Sequence, residues 1–241
     1  MIYQNSNNII ALVDLSTYCN AQCPQCHRTN QANITEKQHW LPLVQIGLEE
    51  FKKRFPAEDL SCYHELIMCG TWGDPVMAKD IYEICEYVLQ NDPVTRVKIN
   101  TNGGMRNEEF WFKLGALNYK YKNRLTVIFD IDGITEEQHA KYRRNVSLAK
   151  VLEHLKAYTD YPGSNAGIFT VVFKHNENDI DAIADLGREH GAKWMHICPS
   201  NRWTHFTTGN KKRDVFRFFN GEEIETLERS KTITKYTSRI L

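Results

Sequence analysis

Short apolar runs alternate with amphipathic segments along most of the chain. The runs are strand-sized and rich in β-branched residues, and they lie at 9–15, 65–69, 94–100, 125–131, 167–173 and 194–198. Between them, apolar residues recur at spacings of three and four, as on one face of a helix, at 81–89, 148–158 and 180–184. This alternation predicts βαβ units and a parallel sheet, the arrangement of an α/β protein.

Local signals at the predicted helix ends agree with this interpretation. Thr135 is followed three residues later by Gln138, which is the pattern of a capping box. Gly191 suits the end of the helix that begins near residue 180, because glycine readily adopts the left-handed conformation of a C-cap. From Asn201 onward the alternation stops. We therefore expect a core at 1–200 and a C-terminal tail at 201–241 that packs on the core or closes it.

The number of strand-helix units limits the architecture. Eight units close a barrel of about 250 residues, whereas six apolar runs precede residue 200. Six units predict either an open, partial barrel or a doubly wound sheet. Both folds bind ligands at the carboxyl ends of their strands, so the residues after each run are the first candidates for a site.

The composition is that of an ordinary globular protein. Of 241 residues, 41% are hydrophobic and 25% are charged. Thirty basic residues balance 30 acidic ones, so nucleic acid held by net charge is not an expected partner. No apolar run is long enough to cross a bilayer. The first residues lack the basic start and apolar region of a signal peptide, which predicts a cytoplasmic protein.

Candidate chemistry is concentrated in the loop after the first predicted strand. The chain has seven cysteines, an odd number that favours metal binding or catalysis over a disulfide framework. Cys19, Cys23 and Cys26 follow one another at C-x3-C-x2-C spacing. Thiolates favour zinc or an iron–sulfur cluster. A zinc site would need His27 or a distant residue as fourth ligand, whereas a [4Fe–4S] cluster held by three cysteines keeps one iron open. The spacing and the location favour the cluster.

With this loop, the chain resembles the radical S-adenosylmethionine (radical SAM) enzymes, over residues 9–200. The resemblance implies a partial (β/α)6 TIM-like barrel. It also implies one [4Fe–4S] cluster held by Cys19, Cys23 and Cys26, with S-adenosylmethionine as the second cofactor on the open iron. In this family, an electron from the reduced cluster cleaves the cofactor to methionine and a 5′-deoxyadenosyl radical. That radical then abstracts hydrogen from a substrate.

Two strand-end segments extend the resemblance. Gly73 and Asp74 belong to a segment similar to the family's Gly-Gly-Glu-Pro, with Asp in place of Glu. There the backbone accepts hydrogen bonds from the methionyl ammonium, and glycine permits the close approach. Asn100 and Asn102 stand where the family often has Thr-Asn-Gly, so the resemblance places them near the ribose hydroxyls. All four residues are expected to bind the cofactor.

Three further residues are assigned by the resemblance. Arg143 matches the arginine that addresses the methionyl end, where its fork suits a carboxylate. Asp130 stands where serine is usual and is expected to accept from the ammonium or a ribose hydroxyl. Gln25, before the third cysteine, replaces a frequent aromatic residue, which leaves its backbone to pair with the adenine edge. These motifs resemble the molybdenum-cofactor and SPASM/twitch branch. No cysteine follows Cys198, however, so no auxiliary cluster is expected.

The resulting functional expectation is a radical SAM enzyme that acts on an unidentified second substrate. A peptide or protein is slightly favoured over a nucleotide or small metabolite, and an electron donor such as flavodoxin or ferredoxin is an expected partner. The alternative is a zinc- or iron–sulfur-binding module without catalysis. In the tail, we expect the aromatic residues to pack beneath the barrel and the basic run at 211–213 to be solvated. These aromatic residues are Trp203, Phe206, Phe216, Phe218 and Phe219.

Overall fold

The protein is described by a computed structural model that covers residues 2–5, 8–203 and 214–241. Phe206 and the basic run at 211–213 lie outside the described residues. The strands are β1 Ile2–Asn5, β2 Asn8–Val13, β3 Tyr63–Met68, β4 Arg96–Thr101, β5 Leu125–Asp130, β6 Asn165–Val172, β7 Trp194–Pro199, β8 Val215–Phe219, β9 Ile224–Glu228 and β10 Thr237–Ile240. The helices are α1 Leu48–Arg54, α2 Ile81–Asn91, α3 Glu108–Lys120, α4 Glu136–Ala140, α5 Leu148–Thr159 and α6 Ile180–Glu189. Short 3-10 helices cover Ala57–Cys62 and Pro75–Met77. Within these ranges, no helix has both the length and the apolar character that crossing a membrane requires.

The strand order decides between the two expected architectures. An eight-stranded sheet has the order β1-β2-β3-β4-β5-β6-β7-β10, and β2 to β7 are parallel. A doubly wound sheet would reverse its strand order at a switch point. Here each parallel strand pairs with its neighbour in sequence, as in a barrel. The antiparallel strands β1 and β10 lie at the two ends of this sheet, so the α/β fold is a partial barrel.

Most of the predicted elements are present in the structure. All six predicted strands correspond to β2–β7, and the helical patterns correspond to α2, α5 and α6. Thr135 caps α4 by accepting from the Gln138 backbone, but the Gln138 side chain accepts from Ile134 N–H at 2.8 Å, one residue earlier than a capping box requires. Gly191 has φ +88° directly after the C-cap of α6. Helices α1 and α3 and strands β1 and β8–β10 had no counterpart in the sequence interpretation.

The two faces of the sheet differ in chemistry. The face toward the helices is apolar and fully buried, as Val97 and Ile99 of β4 illustrate. The opposite, inward face carries half-buried polar residues such as Lys98 and Asn100. Strand register arranges the inward side chains in rows: Ile67, Lys98, Thr126 and Asn165; then Asn100, Ile128, Gly167 and Trp194; then Asp130, Phe169, His196 and Ser238. The inward face is therefore a candidate ligand-binding wall.

The inward face is filled at one point by a tryptophan. Gly167 of β6 lies opposite Trp194 of β7. A Cβ atom at position 167 would lie 1.9 Å from the Trp194 indole, so only glycine leaves room for this ring. The side chains of Asn165 and Thr126 are joined by a hydrogen bond of 2.8 Å one row below. Together these residues occupy the amino-terminal end of the barrel interior.

The β8–β9 part of the tail lies at the carboxyl ends of the strands. Strands β8 and β9 form a hairpin, in which Phe219 O accepts from Ile34 N at 2.9 Å and Glu228 O accepts from Lys174 N at 3.0 Å. Lys174 follows β6, so the hairpin sits beside the strand ends. The expectation that Phe216 and Phe218 pack beneath the barrel is therefore wrong, although both are buried. Strand β10 extends the sheet by pairing with β7.

Candidate cluster and cofactor site

A cavity of about 570 Å³ opens at the carboxyl ends of the strands. Cys19, Cys23 and Cys26 all line it, together with residues from the loops that follow β3, β4, β5 and β7. This arrangement follows from the fold, because the carboxyl ends of parallel strands meet at one edge of the sheet. The structure therefore brings the three loop cysteines and the ends of the other strands to one place.

The cysteine loop is fixed mainly by backbone contacts to its neighbours. Asp74 N donates to Tyr18 O at 2.8 Å, and Gln22 N donates to Arg144 O at 3.0 Å. Gly73 approaches the loop so closely that a Cβ atom there would lie 2.2 Å from Ser16 O. The backbone on both sides would have to move to accept any side chain at this position. Gly73 is thus required for the close contact of two loops.

The thiols of the loop are free and largely desolvated. Burial raises the pKa of Cys19, and it also raises the pKa of Cys23 to about 12 although Arg143 acts in the opposite direction. Arg143 Nη1 lies 3.9 Å from Cys23 Sγ, and Asn102 Nδ2 lies 3.7 Å from Cys19 Sγ. Because metals bind thiolates, loading this site must release protons.

Three cysteines at one cavity suit a [4Fe–4S] cluster that keeps one iron open. In the described part of the chain, no three His, Cys, Asp or Glu side chains converge as the ligands of one metal ion would. Zinc requires its sulfur ligands within about 4 Å of each other, since each lies about 2.3 Å from the ion. The cysteine ligands of a cubane bind different irons, so they stand farther apart. His27, the candidate fourth zinc ligand, is exposed and lies against Trp72 with ring centroids 6.2 Å apart.

Arg143 is already held by two carboxylates. Its Nη1 lies 2.9 Å from Asp130 Oδ2, and its Nε lies 2.6 Å from Asp132 Oδ2. The Asp132 side chain is fully buried and also accepts from Val171 N at 2.6 Å. Burial raises the pKa of Asp130 to about 7, whereas Arg143 lowers it. Of the three guanidinium nitrogens of Arg143, Nη2 alone has no hydrogen-bond partner among the described residues. The pair of nitrogens that a carboxylate would engage is therefore not fully available.

Asp74 and Asn102 are occupied in joining loops to one another. The Asp74 carboxylate accepts from Thr101 Oγ1 at 2.9 Å, from Asn102 N at 2.8 Å and from Val76 N at 3.1 Å. The Asn102 side chain donates to Asn20 Oδ1 at 3.0 Å. These contacts tie the loop after β3 to the loop after β4, and the latter to the cysteine loop. Both side chains are buried, and both line the cavity.

Gln25 also makes contacts within the protein. Its side chain accepts from Ser200 Oγ at 2.5 Å and donates to Arg202 O at 3.2 Å, and its backbone oxygen accepts from Arg202 Nη1 at 2.9 Å. Gln25 is buried, and its side chain links the cysteine loop to the segment after β7. A polar residue at position 25, where the family usually has an aromatic one, is thus explained by these hydrogen bonds to Ser200 and Arg202.

Asn100 has the polar atom that is most clearly available to a ligand. Its Oδ1 is buried and has no hydrogen-bond partner in the described part of the chain, and the residue lines the cavity. Buried polar atoms are nearly always paired in native proteins. An unpaired amide oxygen beside three thiols therefore fits a cavity that takes a polar cofactor.

The cavity also contains residues that the sequence motifs did not identify. Lys98, which lies on the same strand as Asn100, lines its wall together with His196 and Tyr236. Lys98 and His196 lie within predicted strands, and their neighbours in sequence are apolar. This alternation places them on the opposite face of the sheet from the apolar core, and it could have identified them as inward-facing residues. Tyr236 precedes β10, and no apolar run in the sequence predicts this strand.

A comparison with protein-family models matches residues 13–187 to the radical SAM superfamily. Among curated proteins, the chain is 26% identical over 189 residues to Fe-coproporphyrin III synthase of Methanosarcina barkeri, covering 78% of this chain and 43% of that protein. It is 28% identical over 132 residues to mycofactocin maturase MftC of Mycobacterium ulcerans, covering 54% of this chain and 34% of that protein. The chain thus spans less than half the length of these relatives.

Solved structures show the same fold. The structure of anSMEcpe with bound AdoMet matches with a TM-score of 0.59 at 17% identity, over 78% of this chain and 50% of that one. Streptococcus suis SuiB bound to precursor peptide SuiA matches with a TM-score of 0.60 at 15% identity, over 78% of this chain and 38% of that one. The architecture derived from the strand order agrees with these neighbours.

Proposed function

The chain belongs to the radical SAM superfamily, whose members are enzymes, and on this basis we propose that it cleaves S-adenosylmethionine reductively to abstract hydrogen from a second substrate. The cofactors of the family, one [4Fe–4S] cluster and S-adenosylmethionine, supply the electron and the hydrogen-abstracting fragment. One observation carries the proposal for this chain. Cys19, Cys23 and Cys26 line the same cavity as the unpaired Asn100 oxygen.

The structure supports a specific division of roles among the candidate residues. The three cysteines would hold the cluster. Arg143 would donate from Nη2 to the methionyl carboxylate, while Asp130 and Asp132 hold the guanidinium in place. Burial raises the pKa of Asp130 to about 7, which weakens its repulsion of a bound carboxylate. Asp130 therefore acts through Arg143 rather than by direct contact.

The remaining candidates would contribute through backbone carbonyls at Gly73, Asp74 and Gln25 and through side chains at Asn100 and Asn102. Gly73 and Asp74 would offer carbonyl oxygens to the methionyl ammonium. Asn100 would accept from a ribose hydroxyl, with Asn102 beside it holding the cysteine loop. The Gln25 carbonyl would still accept from the adenine edge, since a carbonyl has two lone pairs and Arg202 uses one.

We also propose that residues 1–200 form the catalytic core and that the tail closes it on one side. Pairing of β10 with β7 and the contacts of the β8–β9 hairpin support this division. Removal of residues 201–241 should expose the apolar side chains beneath the hairpin and lower solubility. A truncated protein that stays soluble and cleaves the cofactor normally would show that the tail instead serves recognition.

The second substrate is proposed to be a peptide or protein. SuiB was solved with a precursor peptide, and anSMEcpe was solved with a bound peptide. The electron donor is proposed to be a flavodoxin or ferredoxin. The cytoplasm is the proposed compartment, because a site built on free thiols requires a reducing environment.

The test of the proposed function is anaerobic reconstitution followed by metal and product analysis. The expected protein is brown and holds about four irons per chain, as one cubane requires. With dithionite and S-adenosylmethionine, it should slowly release 5′-deoxyadenosine and methionine even without the second substrate. Stoichiometric zinc in a colourless protein, or an iron-replete protein that forms no 5′-deoxyadenosine, would point to the non-catalytic module.

A further inference from the structure

A set of polar side chains from β4, β7 and the residue before β10 lines the cavity, and no cofactor motif uses it. We call it the far wall and define it by Lys98, His196 and Tyr236, all of which line the cavity. Lys98 lies in the row below Asn100, and His196 lies in the same row as Asp130. Lys98 therefore lies deeper in the barrel than the cofactor motifs, whereas His196 lies at the level of Asp130.

Lys98 places a cation inside the barrel. Its Nζ lies 2.7 Å from Glu65 Oε2, and both side chains are mostly buried, with 27% and 13% of their surface exposed. Glu65 engages one of the three ammonium protons, and Lys98 reaches the cavity surface, whereas Glu65 does not line it. A ligand in the cavity would thus meet the lysine rather than its partner.

His196 is oriented by the C-terminal strand. Its Nδ1 lies 2.7 Å from Ser238 Oγ and 2.5 Å from the Tyr236 hydroxyl. Ser238 Oγ donates to Tyr236 at 3.3 Å, so the tyrosine proton is directed to Nδ1. We assign Nδ1 as the acceptor from these hydroxyls, which places the proton of the neutral imidazole on Nε2. Nε2 has no partner in the described part of the chain.

The imidazole is held firmly in this state by its surroundings. Its ring packs between Trp194, with centroids 5.0 Å apart, and Tyr236, with centroids 5.6 Å apart. Burial lowers the pKa of His196, and the Lys98 cation lowers it further. His196 thus presents an N–H donor close enough to Lys98 to be affected by its charge.

We propose that the far wall binds a carboxylate group of the second substrate, with Lys98 as the cation and His196 Nε2–H as the second donor. The wall carries no net charge, because Glu65 balances Lys98 and His196 is neutral. Its two donors therefore suit a singly charged acceptor better than a phosphate dianion. Apolar side chains beside the two donors would pack against the carbon skeleton. They are Ile67, Ile128, Phe169 and Val171. This inference rests on the proposed function, since it concerns the substrate of the same cavity.

The test uses the reconstituted full-length protein with its cluster oxidised and with saturating S-adenosylmethionine, which fills the Arg143 region and is not cleaved without reductant. Three probes of similar shape are titrated by calorimetry: 3-phenylpropionate, 3-phenylpropionamide and 2-phenylethylphosphonate. We expect the carboxylate to bind at least tenfold more tightly than either the amide or the phosphonate.

Variants of the Lys98–Glu65 ion pair test whether binding of the carboxylate depends on Lys98. Glu65→Gln should tighten binding of 3-phenylpropionate, because it frees the lysine from a competing carboxylate. The double variant Lys98→Met/Glu65→Gln removes both charges without leaving one unpaired, and it should weaken binding about 10- to 100-fold. Lys193→Met alters an exposed lysine and should bind like the wild type.

Each contrary outcome identifies what has failed. Equal affinity for carboxylate and amide, tighter binding of the phosphonate, or unchanged affinity in the double variant would overturn the far-wall proposal. Iron and S-adenosylmethionine binding are measured on the same samples. A protein that lacks iron would contradict the proposed function instead, and titration of its metal-free form would still test Lys98 and His196, which are not cluster ligands.

Discussion

The two walls of the cavity differ in what their polar side chains do. On the wall with the cysteine loop, Asp74, Asn102 and Gln25 bond to neighbouring loops, and most of their hydrogen-bonding capacity is used within the protein. On the far wall, Lys98 and the Nε2 atom of His196 retain donors that no residue of the described chain takes. The residues that resemble family motifs are thus mainly those that shape the site.

This difference distinguishes residues that the fold requires from residues that would contact a ligand. A motif residue such as Gly73 is fixed because a backbone atom occupies the space a side chain would need. A far-wall residue retains donors that no residue of the described chain takes, so its replacement is expected to change ligand affinity. The first kind should be tested by folding and cluster content, and the second by ligand affinity.

The largest expected effect concerns the cluster itself. Replacement of Cys19, Cys23 or Cys26 by Ala should abolish iron binding, because a cubane with two protein thiolates is not retained. Cys62→Ala and Cys85→Ala are matched controls, since Cys62 is exposed and Cys85 is buried on α2 away from the cavity. Iron and sulfide analysis after anaerobic reconstitution distinguishes these results. Loss of iron in either control would mean that the ligand set was assigned wrongly.

The next effect separates loop-joining residues from ligand contacts. Asp74→Ala should lower the free energy of unfolding by about 3–5 kcal/mol, because three buried donors lose their acceptor. Asn100→Ala should change it by less than about 0.5 kcal/mol, because its oxygen has no partner to lose. Urea unfolding of the metal-free proteins measures both. Similar stability losses in the two variants would remove the distinction between the two kinds of residue.

A smaller effect is expected from the neighbouring arginines. Arg143→Lys should weaken S-adenosylmethionine binding about 10- to 100-fold, because lysine cannot hold Asp130 and Asp132 and still donate to a third carboxylate. Arg144→Lys is the matched control, since Arg144 pairs with Glu225 of β9. Equilibrium dialysis with oxidised protein measures the affinity. If Arg144→Lys has the larger effect, the carboxylate is held by the other arginine.

The smallest predicted effect is that of Asn100 on the cofactor. Asn100→Ala should weaken S-adenosylmethionine binding about fivefold, the value of one neutral hydrogen bond of about 1 kcal/mol. Thr126→Ala, one row below on β5, provides a control on the same inward face. Unchanged affinity in Asn100→Ala would mean that its free oxygen serves the second substrate and not the ribose.

The fold was largely predictable because its main signals are local. Six apolar runs with helical patterns between them are sufficient to predict a parallel α/β sheet, and the strand order follows the sequence. Helix α3 was missed although Trp111 and Leu114 are suitably spaced, since Gly115 lies within it. That glycine is required because a Cβ atom there would lie 2.6 Å from Tyr158 O of α5, a tertiary contact that no local pattern reveals.

The structure brings the predicted site residues except Gln25 to one cavity, but the sequence did not predict the contacts that hold them. Cysteine spacing identifies the cluster loop, but it cannot show that Arg143 is shared between two carboxylates or that Gln25 bonds to Ser200, which is 175 residues away. Tyr236 and Ser238 had no sequence signal, because β10 is a short, polar edge strand. Such contacts depend on which loops become neighbours, and this follows from the whole fold.

The contact of Trp194 with Gly167 has a consequence for the evolution of the barrel. Because the indole occupies the space that any β-carbon at position 167 would need, the two positions are expected to vary together. A homologue that carries alanine or a larger residue at 167 should carry a smaller residue than tryptophan at 194. A homologue with a small residue at both positions should have a deeper interior and accept a longer substrate. Covariation of positions 167 and 194 would therefore distinguish relatives by the length of the substrate that their barrels accept.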